Sequence, residues 1–269
     1  MFDHDPTLLK QDPAPPAMRT AKPFIVAACA AVLISSLPAQ DANSDLKQQR
    51  QRIAITVTKT ATLDYLLYQP KDYDAKGDKK WPLILFLHGA GERGTDLAKV
   101  TIHGPPKLVK QGKEFPFIIV SPQCPENQRW DSAALLALLD DLIAKHKVDA
   151  SRVYVTGLSM GGYGSWSLGM LHPEKFAAIA PICGGGSTID VKLSNRQKAN
   201  PLKTLGVWAF HGGKDSVVPV AESERMINEL KKAGCADVKL TVYPEANHDS
   251  WTATYDNPEL YDWFLQHKR

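Results

Sequence analysis

Blocks of apolar residues alternate with amphipathic segments along most of the chain. Three apolar runs end in glycine, proline or polar residues: WPLILFLHGAG (81–91), FPFIIVSPQCP (115–125) and FAAIAPICGGG (176–186). Continuous apolar runs of this length are typical of strands that are buried on both faces of a sheet. The segment SAALLALLDDLIAKH (132–146) instead has the spacing of a helix that buries one face, and Ser132 is its predicted N-cap.

The same alternation continues to the C-terminus. Strands are predicted at RVYVTG (152–157), VWAFHGG (207–213) and VKLTVYPE (238–245), and helices at 159–171, 221–234 and 258–268, with Gly234 as a C-terminal cap. Two shorter strands, RIAITVT (52–58) and TLDYLLYQP (62–70), come first and predict an antiparallel edge. No long linker or internal repeat divides the chain after residue 39. The pattern therefore predicts an α/β protein with helices on both faces of the sheet and one domain over residues 40–269.

The first 39 residues differ in composition from the rest. Arg19 and Lys22 precede the apolar run FIVAACAAVLISSL (24–37), and small residues follow that run. A charged segment, a short apolar run and a small-residue site form the layout of a cleavable export signal. We therefore expect residues 1–39 to be an N-terminal extension and signal peptide that is cleaved after Ala39. The mature protein would then be secreted or periplasmic, with no stable membrane span.

Three points about this N-terminal segment remain open. It could be retained as a membrane anchor, although the run is shorter than the roughly 20 residues that a spanning helix needs. It could belong to a lipoprotein modified at Cys29, although the apolar run continues past that residue, where a lipobox should end it. The acidic, proline-rich stretch before Met18 leaves open whether translation begins at Met1 or at Met18.

The charge and the cysteine content bear on the partners, metal sites and disulfides to be expected. The net charge is +3 with 23% charged residues and no concentrated basic patch, so we expect no nucleic-acid partner. Three cysteines follow the apolar N-terminal run, Cys124, Cys183 and Cys235. An odd number cannot pair fully within one chain, and none has metal-ligand spacing, so we expect no metal site. One disulfide between two of them remains open.

A serine between glycines follows a predicted strand in VTGLSMGGYG (155–164). Ser159 stands where the strand ends and a helix begins, with Gly157 two residues before it and Gly161 two residues after. This pattern matches a nucleophile elbow, a strained turn that needs small neighbours. Gly162 would let the following helix pack closely, and the helix N-terminus would favour negative charge that develops nearby. The sequence therefore predicts Ser159 as a nucleophile.

A serine hydroxyl is a poor nucleophile unless a base removes its proton. Asp215 follows FHGGK at the end of one predicted strand, and His248 follows YPEAN after the last one. The order serine, acid, histidine is that of an elbow serine and its partners, so His248 is the predicted base and Asp215 the acid that orients it. A turn role for Asp215 and a loop-capping role for His248 are the alternatives. Asp249 is a poorer candidate because it is adjacent to His248.

The remaining candidates surround this serine. An oxyanion needs backbone donors, which we predict to be the N–H of Met160 and that of Ala90, or of Gly91, in the loop HGAG (88–91). His88 is expected to stabilise that turn, while Glu92 and Arg93 would line the mouth of the site or pair with each other. Trp130 and Trp251 are candidates for the substrate pocket, with core packing as the alternative. Core packing is the favoured interpretation for Trp166.

Six segments together resemble the α/β-hydrolase superfamily: LHGAGERGTD, SPQCPENQRWD, GLSMGGYGSW, PICGGG, FHGGKDSVVP and ANHDSW. The similarity, over roughly residues 53–267, is to bacterial esterases of the dienelactone hydrolase, phospholipase/carboxylesterase and polyhydroxybutyrate-depolymerase-like groups. It implies a mostly parallel eight-stranded sheet and ester hydrolysis through an acyl-enzyme, without a cofactor. Ser159, Asp215 and His248 match the family's nucleophile, acid and base. Dienelactone hydrolases proper use a cysteine nucleophile, so their substrate is not implied here.

These observations favour an exported serine carboxylesterase that hydrolyses short-chain or aryl esters. Feruloyl and acetyl esters of plant polysaccharide, small or polymer-linked, are among the substrates left open. The alternatives are a serine peptidase or amidase with the same triad and a non-catalytic binding domain. Segment 187–205, where the family commonly carries a lid, is short and polar, so we expect little or no lid and an open cleft.

Overall fold

One mostly parallel sheet runs through the described part of the chain. The computed structural model describes residues 51–195 and 200–269, and one compact unit spans Thr58–Arg269. The strands are β1 (Tyr65–Tyr68), β2 (Trp81–Leu87), β3 (Ile118–Pro122), β4 (Val148–Leu158), β5 (Ala178–Ile182), β6 (Gly206–Gly212) and β7 (Val238–Tyr243). Their order in the sheet is β1-β3-β2-β4-β5-β6-β7. Only the edge pair β1–β3 is antiparallel, as the sequence pattern predicted.

Helices cover both faces of this sheet, and each face has its own apolar core. The helices are α1 (Gly104–Lys110), α2 (Ser132–Lys145), α3 (Met160–Leu171), α4 (Thr188–Asn195), α5 (Ala221–Lys232), α6 (Trp251–Asp256) and α7 (Pro258–Gln266). Alternate strand residues point to opposite faces. Leu85 accordingly packs in the core that includes Trp166 of α3, while Phe86 packs in the core that includes Phe264 of α7. Trp166 is fully buried, which confirms its predicted core position.

The sheet has seven strands among the described residues, so the expectation of eight was wrong. The strand predicted at 52–58 is absent, and Gln51–Asp64 have no regular secondary structure. Ile53, Ile55 and Val57 alternate with polar residues but are 79%, 71% and 85% exposed. An alternating pattern becomes a strand only where a neighbouring strand accepts its backbone hydrogen bonds, and no such ladder is described for these residues.

Helix ends and short helices show where local reasoning succeeded and failed. Gly234 has φ +78° beyond the end of α5, and Cys235 N–H donates to Leu230 O (3.1 Å), which confirms the predicted cap. The N-cap of α2 is Asp131 rather than Ser132, because the Asp131 carboxylate accepts from the N–H groups of Ala133 and Ala134. Helices α1 and α6 were not predicted, since seven and six residues are too few for a helical period to stand out.

Several expectations concern residues outside those described. Residues 1–39, with the predicted export signal and Cys29, lie there. Among the described residues, no helix is long and apolar enough to cross a membrane.

Cys124, Cys183 and Cys235 are buried and free, so no disulfide joins any two of them. In segment 187–205 the described residues form α4 and a short 3₁₀ helix, Pro201–Lys203.

We predict that Gly162→Ala destabilises the fold. A Cβ at this position would overlap the carbonyl oxygen of Ile182 and lie 3.1 Å from Gly184 backbone atoms. Backbone cannot move aside as a flexible side chain can, so we expect a loss of about 1–3 kcal/mol in the free energy of unfolding. Urea denaturation measures it. Gly77→Ala is the control, because the nearest atoms there belong to the side chain of Asp74. Equal stability of the two variants would contradict the prediction.

Candidate active site

Ser159 lies at the carboxyl end of β4 in a strained backbone conformation. Its φ of 52° and ψ of −114° place its backbone in a region that residues other than glycine rarely adopt. The strain is stabilised by the Ser159 N–H, which donates to Ile182 O at 3.0 Å. A Cβ at Gly157 would lie 2.5 Å from Leu87 O, and one at Gly161 would overlap the same oxygen. Only glycine fits at these two positions, because the end of β2 passes directly against the turn.

His248 joins Ser159 to Asp215. Its Nε2 lies 3.0 Å from Ser159 Oγ, and its Nδ1 lies 2.7 Å from Asp215 Oδ2. An ionised carboxylate only accepts, so Nδ1–H donates to Asp215 and Nε2 is free to accept the serine hydroxyl proton. The structure thus brings together the three residues that the sequence singled out from three separate strand ends.

The environment of Asp215 favours its ionised form. Its side chain is fully buried, and Oδ1 accepts hydrogen bonds from the N–H groups of Val217 and Val218, both at 2.9 Å. Burial alone raises the pKa of Asp215, but the hydrogen bonds from His248, Val218 and Val217 outweigh it, so the pKa is lowered. A carboxylate that stays charged beside an imidazole is suited to stabilise an imidazolium.

Two residues that sequence reasoning left without a role hold this arrangement in place. Asn247 Oδ1 accepts from the N–H of His248 (2.9 Å) and from the N–H of Ser216 (3.0 Å), so it ties the histidine loop to the acid loop. His211 is buried, and its Nε2 lies 2.9 Å from Val218 O and 3.4 Å from Asp215 Oδ2. Asn247 lies in the segment ANHDSW and His211 in FHGGKDSVVP. Their closeness in sequence to His248 and Asp215 was the only sequence feature that could have indicated these roles.

Cys183 also lies in this group. Its Sγ accepts from the Ser159 N–H at 3.3 Å, and side-chain atoms of Cys183, Asp215 and His248 lie within 4.8 Å of one another. A metal would need the thiolate. Burial raises the pKa of the Cys183 thiol to about 12, which works against that form. The thiol therefore acts as a neutral packing group behind the elbow.

The loop after β2 carries the predicted oxyanion donors. Ala90 and Gly91 form a 3₁₀ turn with Glu92, and β2 is hydrogen-bonded to β4, which leads into Ser159 and Met160. Glu92 and Arg93 do not pair with each other among the described contacts, whereas a place at the mouth of the site stays a prediction. Glu92 is buried with Oε1 3.8 Å from His103, whereas Arg93 donates to the carbonyls of Ala90 (2.9 Å) and Gln128 (3.3 Å).

His88 links this loop to the loop after β3. It is fully buried, its Nε2 accepts from the Cys124 N–H at 2.9 Å, and its Nδ1 donates to Gly89 O at 2.6 Å. This bonding requires the neutral imidazole, because an imidazolium has no acceptor for the Cys124 N–H. Burial, assisted by the charge of Arg93 and opposed by the bond to Gly89, lowers the pKa of His88 to about 4.

An open cleft of about 730 Å³ begins at Ser159 and follows α3. We call it the α3 cleft; its lining residues include Ser159, Met160, Tyr163, Gly164 and Ser167 on one side, with Arg129, Trp130, Gly185, Gly186, Ser187 and Asp190 around them. Trp130 lines this cleft, so its role in a substrate pocket stays a prediction. The other tryptophan candidate, Trp251, packs edge-on against His248 at 5.3 Å and is not among the described residues that line this cleft.

Comparison with known proteins agrees with this geometry. A family model described as phospholipase/carboxylesterase matches residues 120–257, which contain Ser159, Asp215 and His248. The chain belongs to that family. A solved thermostable esterase is 34% identical, with a TM-score of 0.63 over 77% of this chain and 60% of that one, and the architecture is the α/β-hydrolase fold.

Two curated relatives of this family member carry esterase names. The protein named probable feruloyl esterase C of Aspergillus terreus is 29% identical over 65% of this chain, and feruloyl esterase B of Neurospora crassa is 30% identical over 38%. The chain spans 64% of the length of the former protein and 38% of the latter.

We predict that His88 makes stability depend on pH between about 6.5 and 4. In the unfolded chain the imidazole protonates below its ordinary pKa of 6.5, whereas in the folded protein it stays neutral down to about 4. The unfolded state therefore binds more protons in this window, and the free energy of unfolding falls by about 3 kcal/mol as the pH drops. Urea midpoints across this range measure the loss.

His88→Asn should flatten that dependence, since an amide donates and accepts but does not titrate. His146→Asn, at the end of α2, is the matched control and should keep it. Nuclear magnetic resonance of the unmodified protein gives an independent measurement: the His88 ring should show no titration between pH 5 and 8. A midpoint near 6.5 would contradict the assignment.

Proposed function

We propose that this protein is a serine carboxylesterase that hydrolyses carboxylic esters through an acyl-enzyme. The observation that carries the proposal is the hydrogen-bonded series from Ser159 Oγ to His248 Nε2 (3.0 Å) and from His248 Nδ1 to Asp215 Oδ2 (2.7 Å). It is supported by membership of the phospholipase/carboxylesterase family and by the esterase names of the relatives. A nucleophile, a base and an orienting acid are the groups that acyl transfer requires.

Acylation follows from these positions. Ser159 Oγ attacks the ester carbonyl carbon while its proton passes to His248 Nε2, and the imidazolium is stabilised by the Asp215 carboxylate. The negative charge on the carbonyl oxygen is stabilised by the N–H of Met160, at the N-terminus of α3, and by that of Ala90, with Gly91 as the second candidate. Collapse of this intermediate releases the alcohol, which takes the proton from His248.

Deacylation repeats the sequence with water. His248 removes a proton from a water molecule, whose oxygen attacks the acyl carbon bound to Ser159 Oγ. The ester bond to serine breaks, the carboxylic acid leaves, and the proton returns from His248 to Ser159. The nucleophile, the base, the orienting acid and the oxyanion donors in this cycle are all groups of the chain, and water is the second substrate.

The proposal includes the substrate range and the location. An open cleft with aromatic and polar walls suits short-chain and aryl esters, and the names of relatives point to feruloyl esters. Polymer-linked esters are compatible with a site that no long lid covers in the described residues. Residues 1–39 would direct export before cleavage, and residues 40–269 would form the mature enzyme.

Substitution of the triad tests the chemistry. Ser159→Ala and His248→Ala should each lower the hydrolysis of p-nitrophenyl acetate by about 10⁴-fold or more, and Asp215→Asn by somewhat less, while circular dichroism stays unchanged. Asp249→Asn is the matched control, because the Asp249 carboxylate accepts from Thr252 rather than from His248. Near-normal turnover by pure Ser159→Ala protein would contradict the proposal, as would cleavage of an anilide as fast as the matching ester.

Export is tested on protein recovered from its native host. The charged, apolar and small-residue order of residues 19–39 leads us to expect a mature chain that begins at Gln40, found outside the cytoplasm. N-terminal sequencing of the fractionated protein measures both points. A cytoplasmic product that begins intact at Met1 or Met18 would contradict this part of the proposal.

A further inference from the structure

The α3 cleft has a defined length because one face of a helix lines it. Ser159, Tyr163 and Ser167 follow one another at intervals of four residues and therefore form one stripe along α3. Eight residues at 1.5 Å each place Ser167 about 12 Å along the helix from Ser159. An acetyl group on Ser159 would reach only the beginning of this stripe, whereas an aryl chain would extend along it.

The sides of the α3 cleft are rigid and suited to a flat group. The Trp130 indole N–H donates to His88 O at 3.1 Å, and a Cβ at Gly164 would lie 3.1 Å from the indole ring, so the ring packs directly on α3. Gly185 and Gly186 on the other side present backbone without side chains. Ring and peptide planes that are held in this way favour planar ligands over branched ones.

The far end of the α3 cleft is polar. Ser167 Oγ lies 3.3 Å from Ser132 Oγ, so a pair of hydroxyls retains one hydrogen to donate and further lone pairs to accept. Asp190 and Arg129 also line the α3 cleft, so its charged residues carry no net charge. Such an end suits a neutral group that both donates and accepts, which a hydroxyl does and a methyl or a carboxylate does not.

The position of His248 decides which part of an ester occupies this cleft. His248 must reach the oxygen of the leaving alcohol, yet it is not among the described residues that line the α3 cleft. The alcohol therefore leaves on the His248 side of Ser159. The α3 cleft, which starts at Ser159 and Met160 and extends away along the helix, is left for the acyl group.

We propose that the α3 cleft binds a planar aryl acyl group with a ring hydroxyl, of the hydroxycinnamoyl class, and that Ser167 and Asp190 bind this hydroxyl. The inference rests on the proposed esterase function and adds the two residues that determine acyl specificity. An aliphatic chain of the same length would remove water from Asp190 without offering it a hydrogen bond, which is unfavourable. The enzyme then prefers hydroxylated over unsubstituted cinnamoyl esters.

The test compares the kcat/KM for methyl 4-hydroxycinnamate with that for methyl cinnamate. Asp190→Ala should lower the ratio about tenfold and Ser167→Ala a few-fold, because each removes a hydrogen-bonding partner of the ring hydroxyl. Turnover of p-nitrophenyl acetate, whose acetyl group is too short to reach these residues, is measured for each variant as the reference reaction. Asp141→Ala on α2 and Ser194→Ala on α4 are matched controls outside the α3 cleft and should leave the ratio unchanged.

Other outcomes separate the inference from the function on which it rests. If both variants keep the ratio of the unmodified enzyme while acetate turnover persists, the esterase function stands and the inference is overturned. A second pair of substrates, 4-hydroxyphenyl acetate and phenyl acetate, carries the hydroxyl on the leaving group. If that ratio changes instead, the cleft holds the alcohol and the inference is again overturned. Loss of acetate turnover in Ser159→Ala tests the function alone.

Discussion

The close approach of the end of β2 to the turn at Ser159 is the constraint on which the rest of the site depends. A Cβ at residue 157 or 161 would clash with Leu87 O, so the serine can adopt its strained conformation only between glycines. The sheet supplies the rigidity, because β4 is hydrogen-bonded to β2 on one side and to β5 on the other. The strain therefore persists, and it presents the hydroxyl at the strand end.

Two pairs of hydrogen-bonded loops lie beside this turn. On one side, the loops after β6 and β7 are joined through Asn247, which accepts from the N–H groups of Ser216 and His248. On the other side, the loop after β2 is joined to the loop after β3 through His88, and Trp130 is anchored to the same loop. The proposed oxyanion donors and the wall of the α3 cleft thus share one support.

Buried polar groups here are neutral or ionised according to their partners. Asp215 accepts from a histidine and two backbone N–H groups, so its pKa is lowered in spite of burial. His88 must accept from a backbone N–H, so burial keeps it neutral and lowers its pKa. Cys183 accepts from the Ser159 N–H, but burial outweighs this bond and raises the pKa of its thiol.

Sequence alone determined the fold class, the six strands β2 to β7, and the choice of Ser159, Asp215 and His248 as candidates. Glycine spacing, apolar runs and the residues at strand ends are local features, and local features can be read in order along a chain. β1 was also placed within TLDYLLYQP, yet the neighbouring RIAITVT, with an equally good alternation, formed no strand among the described residues. An alternating sequence pattern allows a segment to form a strand, but the strand forms only where a neighbouring strand pairs with it.

Only the tertiary structure decided the remaining features, because each depends on residues far apart in the sequence. The role of His88 depends on Cys124, 36 residues away, and the acid and histidine loops meet through Ser216 and Asn247, 31 residues apart. Trp130 and Trp251 were equal candidates in the sequence, but one lines the α3 cleft and the other packs on His248. Short-range pattern carries no information about which of two aromatic side chains faces solvent beside a nucleophile, since that depends on how separate loops pack together.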